Sequence, residues 1–384
     1  MHIGIDARFY GTRQRGIGRY LVKLIGALEQ VDDRNQYSVF LRRENFEEYK
    51  PQNANFKKKL WDAPWYGWRE QVMFPRAKFD VMHFPHWNVP VRFASPFILT
   101  VHDLILFSSS RLKQTTTHGR WLYNLKFAGF KFVFGRAVQK AKAIIVPSNF
   151  VKEQLLDLYP HLRNKVQVIY EAPTITPLRH SERGEESHTL PHMEKEIATL
   201  PMVASNDIGD KFVLYVGAAY PHKNLMRLLQ AWQRLPGELL NEYKLVLVGR
   251  KDFFWQQLES KIKESIVFYG EASDEELASL YSHAALLVQP SLEEGFSLSP
   301  LEALSFGCPV AVSDIPVHRE ISDGAVIFFN PRDENSIMVT IKDALLNQSV
   351  REEILIKAKQ ILSQYSWHNA ARVTLELYDV IKKV

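Results

Sequence analysis

Pro290-Ser291-Leu292-Glu293-Glu294-Gly295-Phe296-Ser297-Leu298-Ser299-Pro300-Leu301-Glu302-Ala303 follows directly on an apolar, strand-like run over 285–290. A strand, a short loop and a helix start in immediate succession are half of a βαβ unit. Outward from this stretch the same alternation fills the chain. Upstream in the C-terminal half, strands are expected near 212–217, 243–248 and 266–269, and downstream near 309–313 and 325–329. The N-terminal half offers 2–7, 36–42, 81–85, 97–101, 143–147 and 165–170, with helical patterns between them. Strands that alternate with helices give parallel sheets covered on both faces, so the expected class is α/β, with two Rossmann-like doubly wound domains.

Length agrees, because 384 residues exceed one ordinary domain of roughly 150. The reading places an N-terminal domain over 1–170 and a C-terminal domain over 210–365, with a helix over 366–384 expected to pack back on the first. Between the domains, 171–209 carries Pro173, Pro177, Pro191 and Pro201 and the polar run 180–188, which reads as a linker or insertion.

Composition excludes several classes. With 46% hydrophobic, 24% charged and 12% aromatic residues, the chain is neither disordered, collagen-like nor a coiled coil. One cysteine, Cys308, rules out an internal disulfide and a cysteine-based metal site, and fits a reducing compartment. No apolar run reaches the length of a membrane span, and Met1 to Ala7 enters a strand without a signal-like apolar region, so a cytoplasmic protein is expected. The net charge of +5 hides a split: residues 1–170 hold 27 Lys/Arg against 13 Asp/Glu, or +14, while 171–384 hold 21 against 30, or −9. The basic half is expected to face phosphates, anionic lipid or nucleic acid.

Ligands of open α/β sheets bind outside the carboxyl ends of the strands, so chemistry is sought in the loops leaving them. In the first such loop Gly16-Ile17-Gly18 precedes a helical pattern beginning near Arg19, where backbone N–H groups would meet a phosphate, unless the glycines only make a tight turn. A dinucleotide fingerprint needs a third glycine where the chain has Leu21, which disfavours a nicotinamide enzyme. His102 follows the run 97–101 and precedes Asp103, an imidazole at a strand end with a carboxylate beside it. The loop Gly217-Ala218-Ala219-Tyr220-Pro221-His222-Lys223-Asn224 offers Lys223 as a point charge for a diphosphate, or as an ordinary exposed lysine. Glu294 and Glu302, eight positions apart, both suit a hydroxyl-rich ligand. For Glu302 a second role competes: Ser299, Pro300 and Glu302 read as a capping box with proline at the first helical position, and spacing alone favours that cap.

Together with Val146-Pro147-Ser148, Tyr215-Val216-Gly217 and Ser366-Trp367, these pieces resemble the retaining glycosyltransferases of family 4 over almost the whole chain. The resemblance implies the GT-B arrangement of two Rossmann-like domains with an interdomain cleft, and transfer of a sugar from a nucleotide-sugar with retention and without a metal or other cofactor. The chain has no Asp-x-Asp. Carried onto this sequence, Lys223 neutralises the diphosphate, Glu294 binds donor-sugar hydroxyls, and Glu302 holds the ribose. Amides of Gly295, Phe296, Ser297 and Leu298 orient sugar and phosphate, Gly16 approaches the phosphate from the other domain, and His102 lines the acceptor side. Two departures stand out: Ala218 replaces a frequent arginine, so His222 or Arg250 would complete the clamp, and Ser297 replaces a frequent glycine.

The Pro221-His222-Lys223-Asn224 version resembles the bacterial mannosyltransferase-like branch that builds surface polysaccharides such as lipopolysaccharide, which makes GDP-mannose the first donor expectation and a glycan or lipid-linked glycan the acceptor. No nucleic-acid partner is expected. Residues 111–142, with eight Lys/Arg, no Asp/Glu and six aromatics, suggest peripheral docking on an anionic cytoplasmic membrane surface, although the spacing of Leu122, Lys126, Phe130 and Phe134 would also suit a core-facing stripe. The competing readings are a nucleotide-sugar 2-epimerase of the same architecture and a non-catalytic basic module binding nucleic acid or membrane.

Overall fold

The computed structural model describes residues 1–11, 15–65, 67–72, 74, 77–107, 120–177, 211–259 and 264–382. Among them, 1–107, 120–172 and 366–382 make one compact unit and 173–365 the other. Each unit is built on one all-parallel sheet.

In the first unit the strands are β1 (His2–Asp6), β2 (Gln36–Leu41), β3 (Phe56–Leu60), β4 (Val81–Phe84), β5 (Phe97–Thr100), β6 (Ala143–Val146) and β7 (Val166–Val168), in the order β3-β2-β1-β4-β5-β6-β7. The central strands are buried at every position, so they read as continuous apolar runs. Their side chains alternate between two cores. Ile3, Ile5, Val81 and Ile98 meet the Arg15–Val31 helix and the C-terminal Trp367–Lys382 helix on one face, while Met82, Phe84, Leu99 and Ile144 meet the Arg120–Lys140 and Asn149–Leu158 helices on the other. The C-terminal helix thus lies in the first unit, inserting Ala370, Ala371, Leu375 and Tyr378.

The second unit contains β8 (Phe212–Val216), β9 (Lys244–Val248), β10 (Ile266–Gly270), β11 (Leu286–Gln289), β12 (Val310–Ser313) and β13 (Ile327–Phe329), in the order β10-β9-β8-β11-β12-β13. Val213, Tyr215, Leu245, Leu247 and Val288 fill one core, and Leu214, Val246, Leu287, Val310 and Val312 the other. Burying one such side chain contributes roughly 1.5–3 kcal/mol.

All twelve expected strands are present. One was missed, β3, whose Phe56-Lys57-Lys58-Lys59-Leu60 reads as a charged run. Its position explains the lysines, because β3 is the sheet's edge, where charge discourages pairing with another chain. Most of the expected linker lies outside the described residues, as do 111–119 of the basic segment and the side chains of 120–123, Leu122 included. The described part of that segment divides: Phe130 and Phe134 pack into the core, whereas Lys126 is exposed and so does not continue their stripe. Leu125 and Phe132 are 58% and 62% exposed.

The strand orders locate two switch points. Order reverses between β1 and β4 and between β8 and β11, where the crevice at the carboxyl ends opens.

Candidate functional site

In the second unit the loops leaving β8 and β11 flank the switch point, and they carry Lys223 and Glu294. Where β8 ends, its backbone runs so close to that after β9 that a Cβ on Gly249 would lie 2.1 Å from the Gly217 carbonyl oxygen and 2.6 Å from Trp255. Only glycine fits there. The β8 loop then makes a single 3-10 turn over Pro221–Lys223 and leaves it through Asn224, at φ 60°, in the left-handed region that asparagine tolerates best after glycine. Buried Asn224 donates to the carbonyls of Pro290 (3.0 Å) and Pro331 (2.7 Å), and the Leu292 amide donates to the His222 carbonyl (2.7 Å), so the two loops are stapled together.

That stapling brings Lys223 Nζ to 2.6 and 2.8 Å from the two Glu294 oxygens. Ser291 Oγ donates to Glu294 Oε1 at 2.6 Å and Gln289 Nε2 at 3.3 Å. Burial would raise this carboxyl, but the Lys223 charge and the hydrogen bonds from Lys223 and Ser291 outweigh it and hold it down at about 2. Glu294 is therefore ionised and only 7% exposed. The lysine is its counter-ion, not an ordinary exposed lysine.

Glu302 does not cap its helix. The Leu298–Ser305 helix begins one residue after Ser297, which sits at φ 77°, ψ 80° and makes no side-chain cap bond. An N-cap needs an extended residue whose oxygen faces the next turn, and a left-handed serine does not present one. The expected capping box is thus absent: Ser299 and Pro300 lie inside the helix, and Ser299 Oγ reaches the Val216 carbonyl at 3.5 Å. Glu302, 4% exposed, accepts from Thr174 N (3.2 Å), Thr174 Oγ1 (2.5 Å) and Tyr281 OH (3.0 Å). A carboxylate has about four acceptor sites, so Glu302, with three used, retains about one. Oε2 of Glu294, which among the described residues accepts from Lys223 alone, likewise retains about one.

The helix N-terminus carries no side-chain cap, and its first-turn amides keep their positive dipole end for an anion. Gly295 and Phe296 are buried in the loop leading to it, with Phe296 edge-on to Tyr365 at 5.7 Å, and Leu298 opens the helix. Ser297 Oγ is buried without a hydrogen-bond partner. Arg250, just past β9, is 64% exposed and lies 3.6 Å from Glu271, a loose surface pair.

In the first unit the helix expected near Arg19 starts at Arg15, so Gly16 lies in its first turn, where a Cβ would meet nothing. His102 follows β5. Its Nδ1 lies 2.9 Å from Glu171 Oε1 and its Nε2 lies 3.1 Å from the Pro85 carbonyl, with Tyr20 edge-on at 4.7 Å. Both nitrogens face acceptors, so a ring with hydrogen on each satisfies both and a neutral ring only one. The carboxylate holding this ring is Glu171, 69 positions on, whereas neighbouring Asp103 accepts from the Ile105 amide at 3.0 Å. Glu171, Thr174, Asn224 and Tyr281 were missed by the sequence reading. Their one signal was a polar residue in or beside an otherwise buried stretch.

At the carboxyl end of β1 the buried Asp6, Arg8 and Glu70 form an ion triad, with Arg8 Nη2 2.7 Å from Asp6 and 2.5 Å from Glu70 and its guanidinium over the Trp61 ring. Every charge is paired, the condition for burying such a group.

Two family models match the chain. Residues 14–172 match that of Glycosyltransferase Family 4 and residues 201–361 that of Glycosyl transferases group 1. The chain is a glycosyltransferase, its N-terminal part similar to family 4 and its C-terminal part to group 1. This glycosyltransferase is 28% identical over 307 residues to O-antigen chain mannosyltransferase B of Escherichia coli, covering 78% of this chain and 74% of the relative. It is 31% identical over 222 residues to the Salmonella typhimurium O-antigen chain mannosyltransferase RfbU, covering 56% and 54%. With the Escherichia coli serotype-specific mannosyltransferase WbdA it shares 28% over 301 residues, 76% of this chain but 34% of WbdA. Among solved structures, sucrose-phosphate synthase from Thermosynechococcus elongatus superposes with a TM-score of 0.70 at 16% identity, and WaaG, a glycosyltransferase involved in lipopolysaccharide biosynthesis, with 0.67 at 14%, each covering 99% of both chains. The fold of the glycosyltransferase is GT-B, two Rossmann-like units.

Proposed function

We propose that the enzyme moves a mannosyl residue from a nucleotide-sugar, GDP-mannose first, to a glycan or lipid-linked glycan in the synthesis of an O-antigen-type polysaccharide. The relatives' names support the sugar and the product class. The observation that carries the donor site is the Lys223–Glu294 pair at the β8/β11 switch point, beside a helix N-terminus without a side-chain cap. There Lys223 and the first-turn amides meet the diphosphate, Glu294 takes a sugar hydroxyl on its remaining acceptor site, and Glu302 takes a ribose hydroxyl. Since lysine and helix dipole supply the positive charge, no metal is required of this site. Chemistry proceeds with retention, the departing phosphate assisting deprotonation of the acceptor, and His102 belongs to the acceptor side.

The site of action is the cytoplasmic face of an anionic membrane. No described helix is long and apolar enough to cross a membrane. Docking instead rests on the Arg120–Lys140 helix, where exposed Lys126 and Lys131 stand beside exposed Leu125 and Phe132. No observation favours a 2-epimerase or a non-catalytic basic module.

A donor panel tests the reading. GDP-mannose at a hundred times its dissociation constant should stabilise the protein by about 2.7 kcal/mol, and transfer should survive chelation of divalent cations. Stabilisation by UDP-sugars alone would overturn the donor, an EDTA-sensitive rate the metal independence, and a product of inverted configuration the retention.

A further inference from the structure

Among the described residues the chain passes from the first unit to the second between Ala172 and Pro173, and on either side of that bond it touches a candidate site residue. Glu171, the penultimate residue of its segment in the first unit, meets His102 Nδ1 at 2.9 Å. Thr174, the second residue of its segment in the second unit, gives both its amide and its hydroxyl to Glu302 Oε1. Glu171, Ala172, Thr174 and Ile175 are all buried.

We infer that this crossover peptide is a positioning element for both halves of the machinery, Glu171 fixing the His102 ring and Thr174 fixing the Glu302 carboxylate. The inference rests on the proposed roles of Glu302 at the donor and His102 at the acceptor. Thr174 supplies two of the three donors that Glu302 receives, and Tyr281 the third. Without the hydroxyl, the carboxylate loses its short bond, and the oxygen meant for a ligand can turn towards the Thr174 amide. Among the described residues the ring of His102 has two polar contacts, and one of them is Glu171. Because the two side chains are three residues apart on one buried peptide, a change in that peptide displaces both.

The test compares full-length variants for GDP-mannose affinity and for transfer rate. Thr174→Val should weaken GDP-mannose binding about tenfold, as expected for a lost bond to a charged group, and Thr174→Ser should restore it to within about twofold. Thr174→Ala serves if the valine variant does not fold. Glu171→Gln should lower kcat about tenfold while the donor dissociation constant stays within about twofold of wild type. Wild-type affinity in Thr174→Val with binding lost in Glu302→Ala would overturn this inference and leave the donor site standing. Wild-type affinity in both would overturn the donor site with it. Equal losses in the serine and valine variants would make Thr174 a packing residue. Unchanged kcat in Glu171→Gln would remove the other half. If the wild-type protein ignores GDP-mannose, the donor assignment fails, and the same comparisons with UDP-glucose decide the inference.

Discussion

The two units solve the same problem differently. In the second, the candidate residues come from two loops that leave neighbouring strands at the switch point, and Asn224 ties those loops into one body that presents Lys223 and Glu294 as a buried ion pair. In the first, His102 depends on a residue 69 positions away, and the loop before Gly16 is only partly described. On the proposed reading, a donor common to many enzymes suits a site built from two loops tied into one body. An acceptor that differs between enzymes suits residues dispersed over separate loops.

The largest effect should come from breaking the pair. Glu294→Ala strands a lysine whose side chain is 19% exposed, and removing one partner of a buried pair costs about 3–5 kcal/mol. The structure predicts a marked loss of stability in addition to a hundredfold or greater loss of transfer. Urea midpoints and transfer rates check both. A midpoint within the error of wild type would mean that the pair is solvated in solution.

Acid should separate the units next. His83, fully buried in β4, bonds Tyr378 OH at 2.7 Å and Thr100 Oγ1 at 2.8 Å, and burial, helped by the charge of His102, lowers its pKa from 6.5 to about 3. The folded state therefore binds fewer protons than the unfolded state between those values. Stability present above pH 6.5 is lost as pH falls towards 3, at up to about 1.4 kcal/mol per pH unit, or about 2 kcal/mol by pH 5. In the second unit burial lowers His318 in the same direction, but Glu294, held at about 2, costs stability only below about pH 4.5. His83→Gln should remove about half of the dependence of the first unit between pH 7 and 5, read from the exchange of its sheet amides, because burial also lowers His86 of that unit to about 3. An unaltered slope would shift the effect to other groups.

How much of this was legible depends on what each residue answers to. The buried strands were readable because a parallel strand covered on both faces must be apolar throughout, and β3 escaped because an edge is under the opposite demand. Lys223, Glu294 and Glu302 were singled out through their loops. That Lys223 meets Glu294 was not, because the contact exists only once β8 and β11 are neighbours, a fact of topology. Spacing misread Glu302: a Ser-x-x-Glu pattern predicts a cap when the serine is the N-cap, and here the helix starts one residue before Ser299. Thr174 and Glu171 gave no pattern, since a single polar residue in a crossover has no period.

Glu302→Gln sharpens that correction with a smaller effect. Were the cap present, glutamine would complete it and leave stability unchanged. In the observed arrangement glutamine replaces one acceptor oxygen with an NH2 group: facing the Thr174 amide it sets donor against donor, and facing Tyr281 it forces that buried hydroxyl to accept and to turn its own hydrogen away. Leaving one buried group unsatisfied costs about 1–3 kcal/mol. A melting temperature equal to wild type would restore the cap.

The smallest effect concerns Ser297. A non-glycine residue at φ 77° carries roughly 1–2 kcal/mol of strain, and glycine, which removes it, costs about 0.5–1 kcal/mol in unfolded-state entropy. Ser297→Gly should therefore stabilise the folded protein by no more than about 1 kcal/mol. The buried hydroxyl, without a hydrogen-bond partner among the described residues, makes the second readout decisive, because a ligand bonding there would satisfy it. If so, the glycine variant gains stability and loses GDP-mannose affinity severalfold. If affinity is unchanged while stability rises, the serine is a tolerated replacement and the loop's backbone path alone matters. If stability falls, the left-handed turn is not strained as the geometry implies, and the difference between the two units at this loop rests on Asn224 and the Lys223–Glu294 pair.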